Sequence, residues 1–421
     1  MYKLDQLDNG LKVAAKPMPH MESFSLGVWI KSGGRYEDTK NNGISHLLEH
    51  MLFKGTKKRD TRKIKEEIEG RGGTFNGFTA EEFTCYLVKL LPKDIELGVD
   101  ILSDMVLNPN LDEKEIEKEK NVIIEEINMY KDIPAQHVHE ILTEMLWPDQ
   151  PLGMPLAGTV ESVKSMTRKD VLHYKDTYYN PRNILVVGTG KIGEKKLLDI
   201  SEKYFGGTAG KASPAFKKAV SQQAAARVKL QAKDTEQTHM ALGFHAVNRL
   251  DPDRYALSVA NIILGANMSS RLFHIVRDEL ALCYEIASST RRYEDAGAFV
   301  VSAGVDERKL VNALEVILSI IYSMKREAVP AEELNRAKEY YKGQLLFALE
   351  DTMSLMLWLG ERIVMGRKDA DPKKILERID AVTPEDIMRV ANRFFRQEAA
   401  NLAVIGPVKE EKKLKEVLRL T

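Results

Sequence analysis

Gly43-Ile44-Ser45-His46-Leu47-Leu48-Glu49-His50-Met51-Leu52-Phe53 reads as a helix with two unlike sides. Ile44, Leu47, Leu48, Met51 and Leu52 fall at the i, i+3, i+4, i+7, i+8 spacing of a stripe that seeks a core. At roughly 100° per residue, His46, Glu49 and His50 lie about half a turn from that stripe and project together away from it. Two imidazoles one turn apart can share a tetrahedral metal, and a carboxylate beside them can take the proton of a water held there. The same three side chains on a solvated helix face carry no chemistry, so the reading turns on a third ligand.

Residues 111–131 have the composition of a long helix. Ile116, Ile123 and Ile127 mark its buried side, and Glu119 and Glu126 stand two turns apart along one face. H-x-x-E-H is the reverse of H-E-x-x-H and is a metallopeptidase signature. On these residues the chain resembles the pitrilysin/insulinase-type inverted-zincin peptidases, most closely the short members related to the catalytic subunit of mitochondrial processing peptidase. In that family the third zinc ligand is a glutamate far downstream of the second histidine, with another functional glutamate two turns before it. Glu126 follows His50 by 76 residues, with Glu119 ahead of it. The resemblance therefore implies Zn2+ held by His46, His50 and Glu126, with Glu49 as the catalytic base and Glu119 as a second catalytic-site glutamate supporting the ligands. It implies a zinc-dependent endopeptidase that hydrolyses peptides or unfolded segments in an enclosed chamber. The alternative is a non-catalytic structural or substrate-binding subunit of the same fold; such subunits typically have eroded ligand positions, and here all four residues are intact.

With 421 residues, 43% of them apolar, the chain can build two or three domains around sizeable cores. Lysine plus arginine equals aspartate plus glutamate at 62 each, a balance that gives no support to nucleic acid or an acidic membrane surface as a partner. Two cysteines, Cys85 and Cys283, suit a reduced setting, and the start of the chain shows no apolar or Arg/Ser-rich leader, so a cytoplasmic location is expected. No stretch approaches the roughly 18 apolar residues of a membrane span.

Strands are expected at Leu11-Lys12-Val13-Ala14-Ala15 and Ser25-Leu26-Gly27-Val28-Trp29-Ile30, and a strand pair at residues 74–79 and 82–88. Helices are expected over residues 62–71, 93–106 and 137–146. Gly188-Thr189-Gly190-Lys191-Ile192-Gly193 matches G-x-G-x-x-G, yet no second strand ending in an acid follows, so a dinucleotide site is rejected. The element instead belongs to a repeat. Ser165 to Gly188 recurs as Ala381 to Gly406: Met166-Thr167-Arg168-Lys169-Asp170-Val171 answers to Val382-Thr383-Pro384-Glu385-Asp386-Ile387, and Tyr178-Tyr179 to Phe394-Phe395. Two similar halves follow, 1–207 and 224–421, joined by an Ala/Gly/Ser/Lys-rich linker, 208–223. Only the first half carries the ligand set. Leu257 to Gly265 has no His or Glu where the metal helix would recur, and Gln344 falls near the place of Glu126. The family resemblance implies that both halves are α+β, each a mixed, mainly antiparallel sheet backed by helices.

Arg277 and Tyr284, seven residues apart, look like the family's substrate-binding arginine and tyrosine. A guanidinium and a phenol can both donate to a carbonyl oxygen gaining negative charge. Asn76-Gly77-Phe78-Thr79 resembles the family's edge strand, onto which an extended peptide adds, making Asn76 a substrate-binding residue. His137 and His139 would point to nearly opposite sides of a helix and share no metal. The large family members carry four such domains in one chain, and this chain supplies two. The expected partner is therefore a second copy or a paralogue, giving a homodimer or heterodimer in which Arg277 and Tyr284 complete the other subunit's site.

Overall fold

A computed structural model of the chain describes residues 2–367, 370–409 and 411–418. The first sheet has six strands: β1 (Lys3–Gln6), β2 (Lys12–Pro17), β3 (Phe24–Ile30), β4 (Thr74–Thr79), β5 (Thr84–Leu90) and β6 (Ile184–Gly190). Their order is β1-β2-β6-β3-β5-β4, antiparallel except where β2 meets β6. The second sheet has five: β7 (Arg227–Ala232), β8 (Thr238–His245), β9 (Cys283–Arg292), β10 (Gly297–Val305) and β11 (Ala400–Gly406). Its order, β7-β11-β8-β10-β9, repeats the first from β2 onward, including one parallel pair at the matching place. The fold is α+β, and the repeat read from sequence is a duplication of topology.

Eight helices belong to the first half: α1 (Ile44–Leu52), α2 (Thr61–Glu69), α3 (Ile95–Leu107), α4 (Glu113–Asp132), α5 (Pro134–Leu146), α6 (Val160–Ser165), α7 (Arg168–Tyr178) and α8 (Glu194–Phe205). The second half supplies α9 (Arg254–Leu264), α10 (Leu310–Arg326), α11 (Ala331–Ala348), α12 (Thr352–Val364), α13 (Pro372–Asp380), α14 (Pro384–Phe394) and α15 (Glu411–Val417). The recurring Thr-x-x-Asp has a mechanical role. Thr167 with Asp170, and Thr383 with Asp386, form reciprocal capping boxes that start α7 and α14. Each helix then delivers the chain into an interior strand.

Every residue of β3 is buried, which requires cover on both faces of the sheet. Phe24, Leu26, Val28 and Ile30 join one core with the apolar stripes of α1, α3, α4, α7 and α8. Trp29 faces the other way, with Cys85, Leu185 and Val187, and is covered by Leu355, Met356, Leu359 and Ile363 of α12. Continuous halves are therefore not the compact bodies. One unit comprises Met1–Ile127, Met154–Lys217 and Leu346–Asp371; the other comprises Asn128–Gly153, Lys218–Leu345 and Pro372–Thr421. The expected boundaries 1–207 and 224–421 differ because α12 closes the first sheet while α5 packs on β8 and β11 of the second. Within the second unit, Phe395 packs edge-on against Phe244 and Phe299 on the face opposite α5. Residues 208–223 form neither helix nor strand. They are pinned along their length, as where the Asn180 amide donates to Ser213 Oγ at 3.0 Å and the Trp147 indole donates to Ser221 Oγ at 3.2 Å.

The first glycine of the triplet has a packing role: Gly188 lies on interior strand β6, and a Cβ there would meet Leu197 of α8 at 2.7 Å. Among the described residues no helix is long and apolar enough to cross a membrane.

The seating of α12 depends on Gly360, where a Cβ would stand 2.1 Å from the Trp29 indole. Gly360→Ala is expected to lower stability by about 1–3 kcal/mol through overpacking against a rigid ring. Urea unfolding checks this, and an unchanged midpoint would show that α12 is not closely seated.

Candidate metal centre

The chain enters α1 through Gly43, whose φ of +94° is left-handed and whose Cβ, if present, would strike the Ala157 carbonyl oxygen at 2.5 Å. The free amides at the start of this helix are taken by a buried carboxylate. Glu37 Oε2 accepts from the Gly43 N–H at 2.7 Å and the Asn42 amide at 3.1 Å, and Oε1 accepts from the Ser45 N–H at 2.9 Å. Burial raises the Glu37 carboxyl above its ordinary range, with these hydrogen bonds pulling the other way. A carboxylate at a helix N-terminus also meets the positive end of the helix dipole. The Ser45 hydroxyl bonds to Tyr174 OH at 2.7 Å, which ties α1 to α7.

With α1 so fixed, its polar side meets α4. Glu126 Oε2 lies 3.8 Å from His46 Nε2 and 3.7 Å from His50 Nε2, and the imidazole rings are 4.6 Å apart between centroids. One donor atom from each of the three residues lies within 4.8 Å of the others, and no other His, Cys, Asp or Glu set among the described residues does so. Donors about 2.0–2.1 Å from a tetrahedral zinc stand about 3.4 Å from one another, so a small closing movement brings this set to bonding geometry. Two imidazole nitrogens and one carboxylate oxygen suit zinc and leave a fourth position open. The residues therefore fit the ion that the sequence motif implies.

Glu119 sits behind His50, its Oε2 3.1 Å from Nδ1, an arrangement that leaves Nε2 free as a ligand atom. Its other oxygen is 2.5 Å from Lys54 Nζ. Despite burial, which pushes a carboxyl up, these two partners hold Glu119 below its ordinary range. For His50, burial opposes the charged ring, but Glu119, Glu49 and Glu126 outweigh it and raise its pKa. Burial, with His50 nearby, lowers His46 to about 4, so this imidazole is neutral and ready to bind metal. Its Nδ1 is buried and has no hydrogen-bond partner among the described residues. Glu49 is raised by burial, and its Oε2 accepts from the Thr79 hydroxyl at 2.7 Å. That hydroxyl comes from β4, the edge strand of the first sheet. Asn76 lies on the same edge, exposed, with its Oδ1 accepting from the Gly77 N–H at 2.8 Å.

Arg277 and Tyr284 belong to the second unit. The guanidinium lies over the Phe273 ring at 4.3 Å and the Tyr284 ring at 5.5 Å, and Tyr284 is 75% exposed. Among the described residues Arg277 has no carboxylate partner, so neither side chain is consumed by an ion pair or a core. His137 pairs with Glu140 at 2.8 Å, apart from any metal cluster. Glu37, Lys54 and Thr79 went unread in the sequence, because a lone polar partner from another element leaves no periodic trace.

Residues 12–160 match the family model described as Insulinase (Peptidase family M16), and residues 165–341 match Peptidase M16 inactive domain. A Bacillus subtilis protein named as an uncharacterized zinc protease is 36% identical over 409 residues, spanning 97% of this chain and 98% of its own. The chain belongs to the insulinase family, peptidase family M16. A Streptomyces coelicolor relative of this M16 chain, also named as a zinc protease, is 32% identical over 96% of this chain and 89% of its own. The solved structure of a Helicobacter pylori protease shares the M16 fold with a TM-score of 0.92 at 23% identity, covering 97% of this chain and 99% of that one.

The metal helix depends on its buried cap. Glu37→Ala leaves the Gly43 and Ser45 amides without their acceptor and is expected to cost about 1–3 kcal/mol. Denaturant unfolding reads this directly, and wild-type stability in the variant would remove Glu37 as the anchor of α1.

Proposed function

We propose that this chain is a zinc-dependent endopeptidase acting on peptides or unfolded segments. The observation that carries the reading is the meeting of His46, His50 and Glu126 from two helices, with Glu49 beside them. Membership of the M16 family and relatives named as zinc proteases support it. The chemistry that a bound zinc supplies is Lewis acidity, which polarises a peptide carbonyl and makes water acidic near neutral pH. Glu49 takes the proton of the attacking water and returns it to the leaving amine. A carboxyl raised by burial is better matched to both halves of that transfer than one in its ordinary range. Thr79 holds the Glu49 carboxylate, and Glu119 holds the tautomer of His50.

The open edge of β4 offers main-chain groups to an extended peptide, with Asn76 on that edge as a substrate contact. Arg277 and Tyr284 are donors for the peptide carbonyl, supplied by a second copy or a paralogue that encloses the substrate with this one. Their exposure and the lack of a carboxylate partner on Arg277 support a role outside their own core.

Glu49→Gln is expected to retain zinc at wild-type stoichiometry while peptide hydrolysis falls about 10²–10⁴-fold. His50→Ala loses both metal and hydrolysis. Metal analysis and a peptide-cleavage assay on the two proteins decide, and an active Glu49→Gln enzyme would refute the assignment. For the shared site, a His50→Ala protein and a Tyr284→Ala protein, each inactive alone, are expected to recover activity when mixed. No recovery, with subunit exchange demonstrated, removes the trans arrangement.

A further inference from the structure

Lys54 stands four residues past His50, just beyond the end of α1, and no step above uses it. Its ammonium is 2.5 Å from Glu119 Oε1, while Glu119 Oε2 is 3.1 Å from His50 Nδ1. The three side chains form one line, from a lysine that is 30% exposed, through a carboxylate that is 7% exposed, to a ligand imidazole. We propose that Lys54 is a positioning residue for the metal centre, acting through Glu119 on the orientation of His50 and so on how tightly a divalent cation is held. The proposal rests on His46, His50 and Glu126 being the zinc site.

Two physical arguments carry it. First, a carboxylate this deeply buried needs both oxygens satisfied. Without Lys54, one Glu119 oxygen loses its charged partner, and rotation of the side chain toward solvent relieves the loss only by abandoning His50. Second, Glu49, Glu119 and Glu126 bring three carboxylates close together, and the Lys54 ammonium is a cation set directly against one of them. The second half of the chain agrees. The residue two places beyond the end of α9 is Ala266, where Lys54 holds the corresponding place after α1. In α11, Ala337 occupies the register of Glu119. Cation and carboxylate are thus absent together from the half that lacks the ligands.

The test is a zinc titration against a chromophoric chelator, on the full chain, for wild type and for Lys54→Gln, Lys54→Arg, Glu119→Gln and the Lys54→Gln/Glu119→Gln pair. Lys54→Gln is expected to weaken zinc binding about 10–100-fold, the usual effect of losing an outer partner of a ligand. Lys54→Arg, which keeps the charge and the reach, restores most of it. The double variant binds no more weakly than Glu119→Gln alone, since Lys54 acts through Glu119. A purely structural lysine would give additive losses. Lys54→Met serves in the same titration should Lys54→Gln fail to fold. Wild-type zinc affinity in Lys54→Gln, or additivity in the double variant, overturns the proposal. A wild-type protein that binds zinc but cuts no peptide overturns the peptidase reading and leaves this inference standing; one that binds no zinc overturns both.

Discussion

The structure depends on two helices that bury their apolar sides in the same core and so must turn their polar sides toward each other. Ile44, Leu47 and Leu48 of α1 share that core with Ile116, Ile123 and Ile127 of α4. Close packing there sets the separation of the helices, and with it the distance between Glu126 and the two imidazoles. Bringing three carboxylates together costs free energy that apolar burial must supply. The neighbouring groups limit that cost. Thr79 donates to Glu49, Lys54 and His50 engage Glu119, and Glu126 stays partly exposed next to the Nε2 atoms of His46 and His50.

Duplication shows that this core and its chemistry are separable. If α4 and α11 are aligned so that Glu126 meets Gln344, the buried positions Ile116 and Ile127 fall on the buried positions Leu334 and Leu345. The same register puts Ala337 where Glu119 stands. The second copy keeps the apolar residues that place the helix and lacks both carboxylates. Likewise α9 keeps a buried apolar stripe through Leu257, Ala260 and Leu264 while carrying no ligand. Packing therefore keeps the scaffold in both halves, and the candidate ligand set is confined to a few side chains on one of them.

What could be read from the chain follows the same division. Periodic features were legible: the stripe of α1, the two-turn separation of Glu119 and Glu126, and the recurrence of the Thr-x-x-Asp stretch, though not its role as a cap. Ser25 to Ile30 was legible as a strand, but its burial on both faces was not, because the cover on its second face comes from the distant α12. The exchange of α5 and α12 was not legible. An amphipathic helix announces that it will cover a sheet, but its pattern does not say which sheet, and two sheets of equal topology offer equivalent faces. Glu37 was hidden for a different reason. A carboxylate that caps a helix from the preceding loop has no fixed offset and looks like any surface acid until its burial is known.

Glu119 and Glu126 show how far environment governs role on a single helix. They are the same residue type two turns apart, so backbone geometry gives them one direction and nothing more. Glu119 is nearly enclosed, and its two oxygens are already spoken for by His50 and Lys54. A carboxylate in that state is a poor ligand, because binding a metal would break two charge-assisted hydrogen bonds. Glu126 is more open, and its Oε2 lies close to both Nε2 atoms, 3.8 Å from that of His46 and 3.7 Å from that of His50. The proposed roles, ligand for Glu126 and support for Glu119, agree with which carboxylate keeps lone pairs available.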